Sequence, residues 1–346
     1  MTTPDGEQSE PPSTPTLVDA NGKALCSHAI WGRRCRWGKS CSFSHEVPLE
    51  VVARYRARAE VQIAKTNALW LASVPEVGVP PWLEEIHASP GAFRYDTLRW
   101  PLREAIARVF ELASAEELSQ LHTRPLAGEP PLCPTLLRAQ ACAHGVDALP
   151  ATWKAALGRG DKLGRAALQS TEAYRKFMEL YHDFCTHVIV PLVGDSSAFV
   201  QEPPTLRVHL GGQAQARGRI GMHKDSDYPN HCRAEVNFWV PMTEVGGSNS
   251  LFVESAPDRG DFRPLELCYG DLYRFNGFSC RHHTAANRSG MTRVSFDLRA
   301  VPASCCPASA LRCSRRGQLR LGDYPAVLVE AVTGHSAAVS GIGEHV

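Results

Sequence analysis

The 346-residue sequence has no run of about 18 uncharged apolar residues, so no membrane-spanning helix is expected. It lacks an excess of charge of either sign: 37 Lys and Arg stand against 36 Asp and Glu, net +1. That excludes a uniformly basic or acidic surface, but local patches can hide in the average. The N-terminus, MTTPDGEQSEPPSTPT, has neither a basic start nor an apolar block. It does not read as a secretory signal, and the expected location is intracellular, cytoplasmic or nuclear. What is present in quantity is apolar material, 43% of residues, enough to bury a core. Length alone suggests about two folded units. There are also 12 cysteines, which in a reducing compartment read as thiols or metal ligands rather than a disulfide framework.

Composition divides the chain. Residues 1–20 are Pro-, Ser-, Thr- and Glu-rich with little to bury, as in a disordered tail. Residues 21–47 hold a dense Cys/His cluster, and 48–80 carry a loose helical stripe (Leu49, Val52, Ala53, Tyr55, Ala59, Ile63) that reads as a helical linker. Residues 81–204 alternate Pro-marked loops with apolar-periodic stretches, a helical support region. Helices are predicted over Leu98–Leu112 and over Ala173–Val193, the latter closing at Pro191. Residues 205–302 change to short β-rich runs at Leu206–Leu210, Ala234–Pro241, Asn249–Glu254, Leu265–Phe275 and Thr292–Val301, which argues for a sandwich or jelly roll. Residues 303–346 show no sustained period and read as a weakly ordered C-terminal extension.

Cys26, Cys35, Cys41 and His45 are spaced C-x8-C-x5-C-x3-H. Three thiolates and an imidazole form a tetrahedral structural zinc set. A module of about 25 residues is too small to fold on apolar burial, so the metal would supply its folding free energy. With Trp37–Gly38 and Phe43 among the ligands, the segment resembles the CCCH zinc finger. The resemblance implies Zn(II) and a capacity for single-stranded RNA, with Trp37 and Phe43 stacking on bases. Between residues 21 and 60, eight basic and three acidic residues leave a local +5, which suits a nucleic-acid strand. A protein partner would fit the same finger.

His223–Lys224–Asp225 is the only H-x-D in the chain. In a strand, residues i and i+2 share a face, so one strand end would present an imidazole and a carboxylate together. These are two legs of the two-histidine, one-carboxylate triad of non-heme Fe(II). The third leg must come from a distant strand, and Arg281–His282–His283 offers two histidines on opposite faces. Arg293 and Ser295, again i and i+2, bring a guanidinium fork and a hydroxyl suited to the far carboxylate of 2-oxoglutarate. An ordinary sheet-face ion pair of Arg293 with Asp297 is the plainer alternative.

Through HKDSDY, EVNFWVPMT, GGSNSLFVES, CYGDLYRFNG and HHTAANRSGMTRVSFDLR, residues 205–302 resemble the Fe(II)/2-oxoglutarate-dependent dioxygenases. The type is phytanoyl-hydroxylase-like, and within it the streptomycin-biosynthesis dioxygenase-like subgroup. The resemblance implies an α+β fold: a double-stranded β-helix with flanking helices, here beside the small N-terminal finger. It implies iron on His223, Asp225 and His282, with His282 set by its spacing of five from Asn287, and 2-oxoglutarate on Arg293 and Ser295. The implied activity is oxidative decarboxylation of 2-oxoglutarate coupled to hydroxylation of a substrate not identified by sequence. Asn237 and Trp239, on one face of their strand, are candidates to line the substrate pocket, with ordinary packing the alternative. Arg207 reads as a surface arginine, and Cys232, Cys268 and Cys280 as thiols. The alternative function is an RNA-binding regulatory zinc-finger protein whose dioxygenase-like scaffold is inactive. The complete ligand set favours the enzyme.

Overall fold

A computed structural model describes residues 25, 44–46, 78–159, 161–212, 220–228, 231–306, 311–313, 319–322, 324–332 and 339–341. Two compact units divide the chain, Met1–Leu69 and Trp70–Val346. In the first, Leu25 and Ser44 form a parallel bridge, and both are buried. His45 is exposed, whereas Cys26, Cys35, Cys41, Trp37 and Phe43 lie outside the described residues, as do the tail 1–20 and almost all of the segment 48–80.

The second unit is mostly antiparallel sheet with flanking helices. Its helices are α1 (Pro81–Ala88), α2 (Leu102–Val109), α3 (Pro134–His144), α4 (Ala151–Gly158), α5 (Asp161–Gln169), α6 (Glu172–Phe184) and α7 (Val190–Val193). Its strands are β1 (Gly91–Tyr95), β2 (Ser197–Gln201), β3 (Thr205–His209), β4 (Val236–Pro241), β5 (Leu251–Val253), β6 (Arg263–Pro264), β7 (Asp271–Phe275), β8 (His282–Thr284), β9 (Arg293–Pro302), β10 (Leu311–Cys313), β11 (Leu319–Leu321), β12 (Tyr324–Glu330) and β13 (Val339–Gly341). None of the described helices is long and apolar enough to cross a membrane.

The large sheet is built around β3–β9–β4–β7 and extends through β1 and β13 on one side and β2, β12, β11 and β10 on the other. The small sheet runs β6–β5–β8, and single bridges add His223 opposite His282 and Val245 opposite Leu267. Consecutive strands therefore alternate between the sheets: β3 large, His223 small, β4 large, β5 and β6 small, β7 large, β8 small, β9 large. The chain wraps around the space that the two sheets enclose.

Strand β9 shows how sequence sets this up. Val294, Phe296, Leu298 and Ala300 are fully buried on one face, while Arg293, Ser295, Asp297 and Arg299 alternate with them on the other. The apolar face is covered by α6, where Phe177 and Tyr181 meet Phe296 edge-on or nearly so at 6.5 and 5.9 Å between ring centroids. Helix α6 starts at Thr171, whose Oγ1 accepts from the Tyr174 N–H at 3.2 Å. With one face committed to the helices, the polar face must point into the space between the sheets.

The helix and strand bounds differ from expectation for local reasons. The helix predicted over Leu98–Leu112 begins only at Leu102, after Pro101, with Thr97–Arg99 in a turn. The second predicted helix does not close at Pro191. A π-turn at Cys185–Ile189 accommodates the missing proline N–H, and the helix ends at Gly194 in the left-handed region. Leu265–Phe275 is not one strand, because Gly270, at φ 100°, turns the chain ahead of β7. Residues 303–346 are not structureless where described: Ala326–Glu330 of β12 pair with β2. Leu328 is apolar yet exposed, so the run Pro325–Val329 shows no apolar and polar alternation in sequence.

Candidate functional site

The register of the large sheet assembles a polar grid. Across β9 and β3, Arg293 lies opposite His209, Ser295 opposite Arg207 and Asp297 opposite Thr205. Across β9 and β4, Ser295 lies opposite Pro241, Asp297 opposite Trp239 and Arg299 opposite Asn237. The facing small sheet brings His223 and His282 as bridge partners. A pocket between the sheets is lined by Arg207, His223, Asn237, Trp239, His282 and Arg293, among others.

Three ligand-type side chains meet there. One nitrogen or oxygen from each of His223, Asp225 and His282 lies within 4.8 Å of the others. His223 Nε2 is 3.7 Å and His282 Nε2 3.9 Å from Asp225 Oδ1. The Nδ1 atoms face backbone carbonyls, Gly221 O at 2.8 Å and Cys280 O at 3.1 Å. A carbonyl only accepts, so each Nδ1 carries the proton and each Nε2 turns a lone pair toward Asp225. Burial, moderated by Asp225, pushes the His282 imidazole down to about 4, which keeps it neutral as a metal ligand must be. The H-x-D pair is not a regular strand: Lys224 is extended, and Asp225 opens a single 3-10 turn, Asp225–Asp227. His283 faces the other way, stacked on Phe252 with ring centroids 5.1 Å apart and edge-on to Phe262.

Asp225 is 1% exposed and held from behind. Arg299 donates Nε to Oδ2 at 3.0 Å and Nη2 to Oδ1 at 3.2 Å, and Asn237 Nδ2 donates to Oδ2 at 2.8 Å. Burial alone would raise the carboxyl. The Arg299 charge, with His282 and His231, instead holds it far below the ordinary carboxylate range. Asn237 therefore sits beside the carboxylate, with its oxygen taking the Gly277 N–H at 2.9 Å. Each end of its amide thus makes one bond that positions Asp225, while the residue also lines the pocket. Gly277 is required for this, since a Cβ there would come within 2.6 Å of the Asn237 amide. Asp225, His231 and Glu235 form a second cluster of ligand-type groups. It already contains a cation: the Arg299 guanidinium lies 3.0 Å from Asp225 and 3.9 Å from Glu235.

Arg293 and Ser295 lie deeper along β9. Arg293 is buried and donates Nη1 to Asn249 O at 3.4 Å, whereas its Nε has no partner; nor does Ser295 Oγ. The proposed ion pair with Asp297 does not form, because Asp297 accepts from Arg207 at 2.7 and 3.3 Å. Arg207 is thus an ion-pair partner in the grid rather than a loose surface arginine. Opposite Arg293, His209 is buried with neither ring nitrogen bonded. Asn287 pins this end of β3 by donating to the His209 carbonyl at 2.9 Å. Burial first, and the Arg293 charge second, push the His209 imidazole down to about 4. Unfolded chains bind that proton as pH falls through about 6.5, the native protein only near 4, so this contribution to stability is lost over that window. Between pH 7 and pH 4.5 the loss from His209 is about 2 kcal/mol, at about 1.4 kcal/mol per pH unit. Urea unfolding at the two pH values checks it: His209→Gln should lose less stability on acidification than the parent, and an equal loss would exclude His209 as the source.

Sequence reasoning missed Arg299, His209 and the positioning role of Asn237. The signal for Arg299 was present as the fourth member of the Arg293, Ser295, Asp297 alternation. Nothing in the sequence tied it to Asp225, 74 positions earlier.

Fold and site together define a mostly antiparallel β-sheet protein with flanking helices and a buried two-histidine, one-carboxylate cluster. The chain belongs to the family of the streptomycin biosynthesis protein StrG of Streptomyces griseus. The two are 30% identical over 162 residues, spanning 45% of this chain and 76% of StrG. No protein-family model matches it. Among solved structures, the non-heme monooxygenase ThoJ in its nickel complex is 13% identical, with 72% of this chain and 84% of that chain covered and a TM-score of 0.42. The epimerase SnoN in complex with Fe3+, alpha ketoglutarate and nogalamycin RO is 16% identical, with 50% and 75% covered and a TM-score of 0.26. Likeness at that distance transfers no role.

Proposed function

We propose that the chain is an Fe(II)- and 2-oxoglutarate-dependent oxygenase that hydroxylates its substrate, its two sheets forming a double-stranded β-helix. The observation that carries this reading is the set of two Nε2 lone pairs and one carboxylate oxygen converging within 4.8 Å, each imidazole fixed in tautomer by its carbonyl. His223, Asp225 and His282 would hold the metal. The partnerless Arg293 Nε and Ser295 Oγ suit the far carboxylate of 2-oxoglutarate, which would satisfy both. Bound iron and 2-oxoglutarate supply the oxidation: O2, a substrate C–H and 2-oxoglutarate become the alcohol, succinate and CO2. The protein's part is to keep the His282 imidazole neutral, to hold the Asp225 carboxylate in place through Asn237 and Arg299, and to wall the pocket with Trp239 and Phe275.

Succinate formation from 2-oxoglutarate by iron-loaded protein tests this. Asp225→Ala and His282→Ala should fall to background, while His283→Ala, packed between Phe252 and Phe262, should keep the activity within a few fold. Equal background in all, parent included, would leave the inactive-scaffold reading instead.

For residues 1–69 the reading rests on ligand spacing: zinc on Cys26, Cys35, Cys41 and His45, with Trp37 and Phe43 meeting single-stranded RNA. The Leu25–Ser44 bridge supports it by pairing the residues that immediately precede the first and last ligands. Phe43→Ala should weaken binding to a single-stranded RNA pool by more than tenfold, at about 1–3 kcal/mol per stacked base. Unchanged binding would remove RNA as the partner.

A further inference from the structure

The paired strands β3 and β9 set Thr205, Arg207 and His209 opposite Asp297, Ser295 and Arg293 on one polar face. Three of these side chains are committed inside the protein. Thr205 Oγ1 accepts from Gln201 Nε2 at 2.9 Å, and Arg207 and Asp297 pair with each other at 2.7 and 3.3 Å. The other three carry open atoms. Arg293 Nε, Ser295 Oγ and both ring nitrogens of His209 are buried with no partner among the described residues. They gather at one end of the strand pair, where His209 stands directly opposite Arg293 and Ser295 follows two positions along β9. Strand β4 brings no further donor there: Ser295 meets Pro241 on that side, and Thr243 Oγ1 is taken by the Val294 N–H at 3.0 Å.

The backbone holds His209 in this place. Its carbonyl accepts from Asn287 Nδ2 at 2.9 Å, and just beyond it the Gly212 N–H donates to Ser289 O at 2.9 Å. Between them Gly211 runs so close to Met291 that a Cβ would come within 2.8 Å of the Met291 carbonyl oxygen. The segment after β8 thus clamps the end of β3. His209 itself is 3% exposed. Burying an imidazole without partners costs stability that an apolar side chain would not lose. The Arg293 charge adds to that cost, since it joins burial in pushing the imidazole down. The neutral ring keeps one N–H to donate. A carboxylate accepts at about four lone-pair sites, so one such group can take Arg293, Ser295 and His209 together.

We propose that His209 is a third binding residue for the far carboxylate of 2-oxoglutarate, donating a ring N–H to the group that Arg293 and Ser295 also hold, and that it thereby selects a 2-oxo acid ending in a carboxylate. The assignment rests on the 2-oxoglutarate-dependent reading of the site.

Equilibrium dialysis of the full-length chain, loaded with Ni(II) in place of iron so that binding is read without turnover, tests it with two probes. One is 2-oxoglutarate. The other is 2-oxopentanoate, which keeps the 2-oxo acid end and carries a methyl where the far carboxylate would be. The parent should bind 2-oxoglutarate more tightly. His209→Leu should weaken 2-oxoglutarate roughly tenfold or more, the worth of one hydrogen bond to a charged group, and leave 2-oxopentanoate unchanged. His209→Gln, which keeps an N–H donor, should retain more of the 2-oxoglutarate affinity than His209→Leu. A leucine variant that binds 2-oxoglutarate as tightly as the parent, or loses both acids equally, would overturn the proposal, as would a glutamine variant no better than the leucine one. The two failures stand apart. A parent that does not bind 2-oxoglutarate overturns the oxygenase reading and this proposal with it, whereas a parent that binds beside an unaffected leucine variant overturns the role of His209 alone.

Discussion

Asp225→Ala, unfolded in urea without metal at pH 7, should lose about 3 kcal/mol of stability, and Asp225→Ala/Arg299→Met should regain most of it. Removing one partner of a buried ion pair costs about 3–5 kcal/mol, because the other charge stays buried and uncompensated. Here the remaining charge is Arg299, whose fork on Asp225 spans 3.0 and 3.2 Å. The lower end of the range applies, since Glu235 at 3.9 Å and Asp297 at 3.8 Å still face the guanidinium. Asp225 titrates well below its unfolded value, so its contribution is complete at pH 7 and is lost only as pH falls through the acid range. Deleting the cation together with the anion removes the uncompensated charge, and a flexible Met fills the gap. A double variant that loses as much as the two single variants added together would show that Arg299 and Asp225 are not coupled. The clamp would then not be what holds Oδ1 toward the two imidazoles.

The second large effect has opposite signs in two measurements. Arg293→Met should raise the stability of the metal-free protein by about 2 kcal/mol, since apolar replacement of a poorly paired buried charge stabilises by about 1–4 kcal/mol. The same substitution should weaken 2-oxoglutarate binding by roughly 10- to 150-fold, the worth of about 1.5–3 kcal/mol in charge-assisted hydrogen bonds. The basis is the strain of the guanidinium: burial, then repulsion from Arg207, pushes it down to about 10, and its Nε has no partner. A purely structural arginine would lose stability on replacement. Urea unfolding and equilibrium dialysis of 2-oxoglutarate check the two halves, and a destabilised variant with unchanged affinity would make Arg293 a packing residue. Cationic side chains held at a cost in this way are a recurrent mark of functional sites, where stability is traded for a ligand-ready arrangement.

The legible parts of the site were those written in short spacings. Arg293 and Ser295 are an i and i+2 pair whose common direction follows from extended backbone, and His223 and Asp225 share the spacing although Asp225 opens a 3-10 turn. The choice between His282 and His283 was open from the residues themselves. In the structure the small sheet turns His282 to Asp225 and lays His283 against Phe252. Asn237 could be placed on the right face of its strand but not beside its partner, because contact with Asp225 depends on the turn after His223 and on the absence of a side chain at Gly277.

By itself the sequence determined which side chains share a face: the alternate positions of β9 and the paired ligands. Each follows from local periodicity, which is a property of a few neighbouring residues. Only the tertiary structure decided that Arg299 closes on Asp225, that Arg207 takes Asp297 away from Arg293, and that the open atoms of His209, Arg293 and Ser295 gather at one end of the β3–β9 pair. Those depend on register between strands far apart in the chain and on helices packed over them. A single-residue slip in register would turn each side chain to the other face, so no local pattern can encode them.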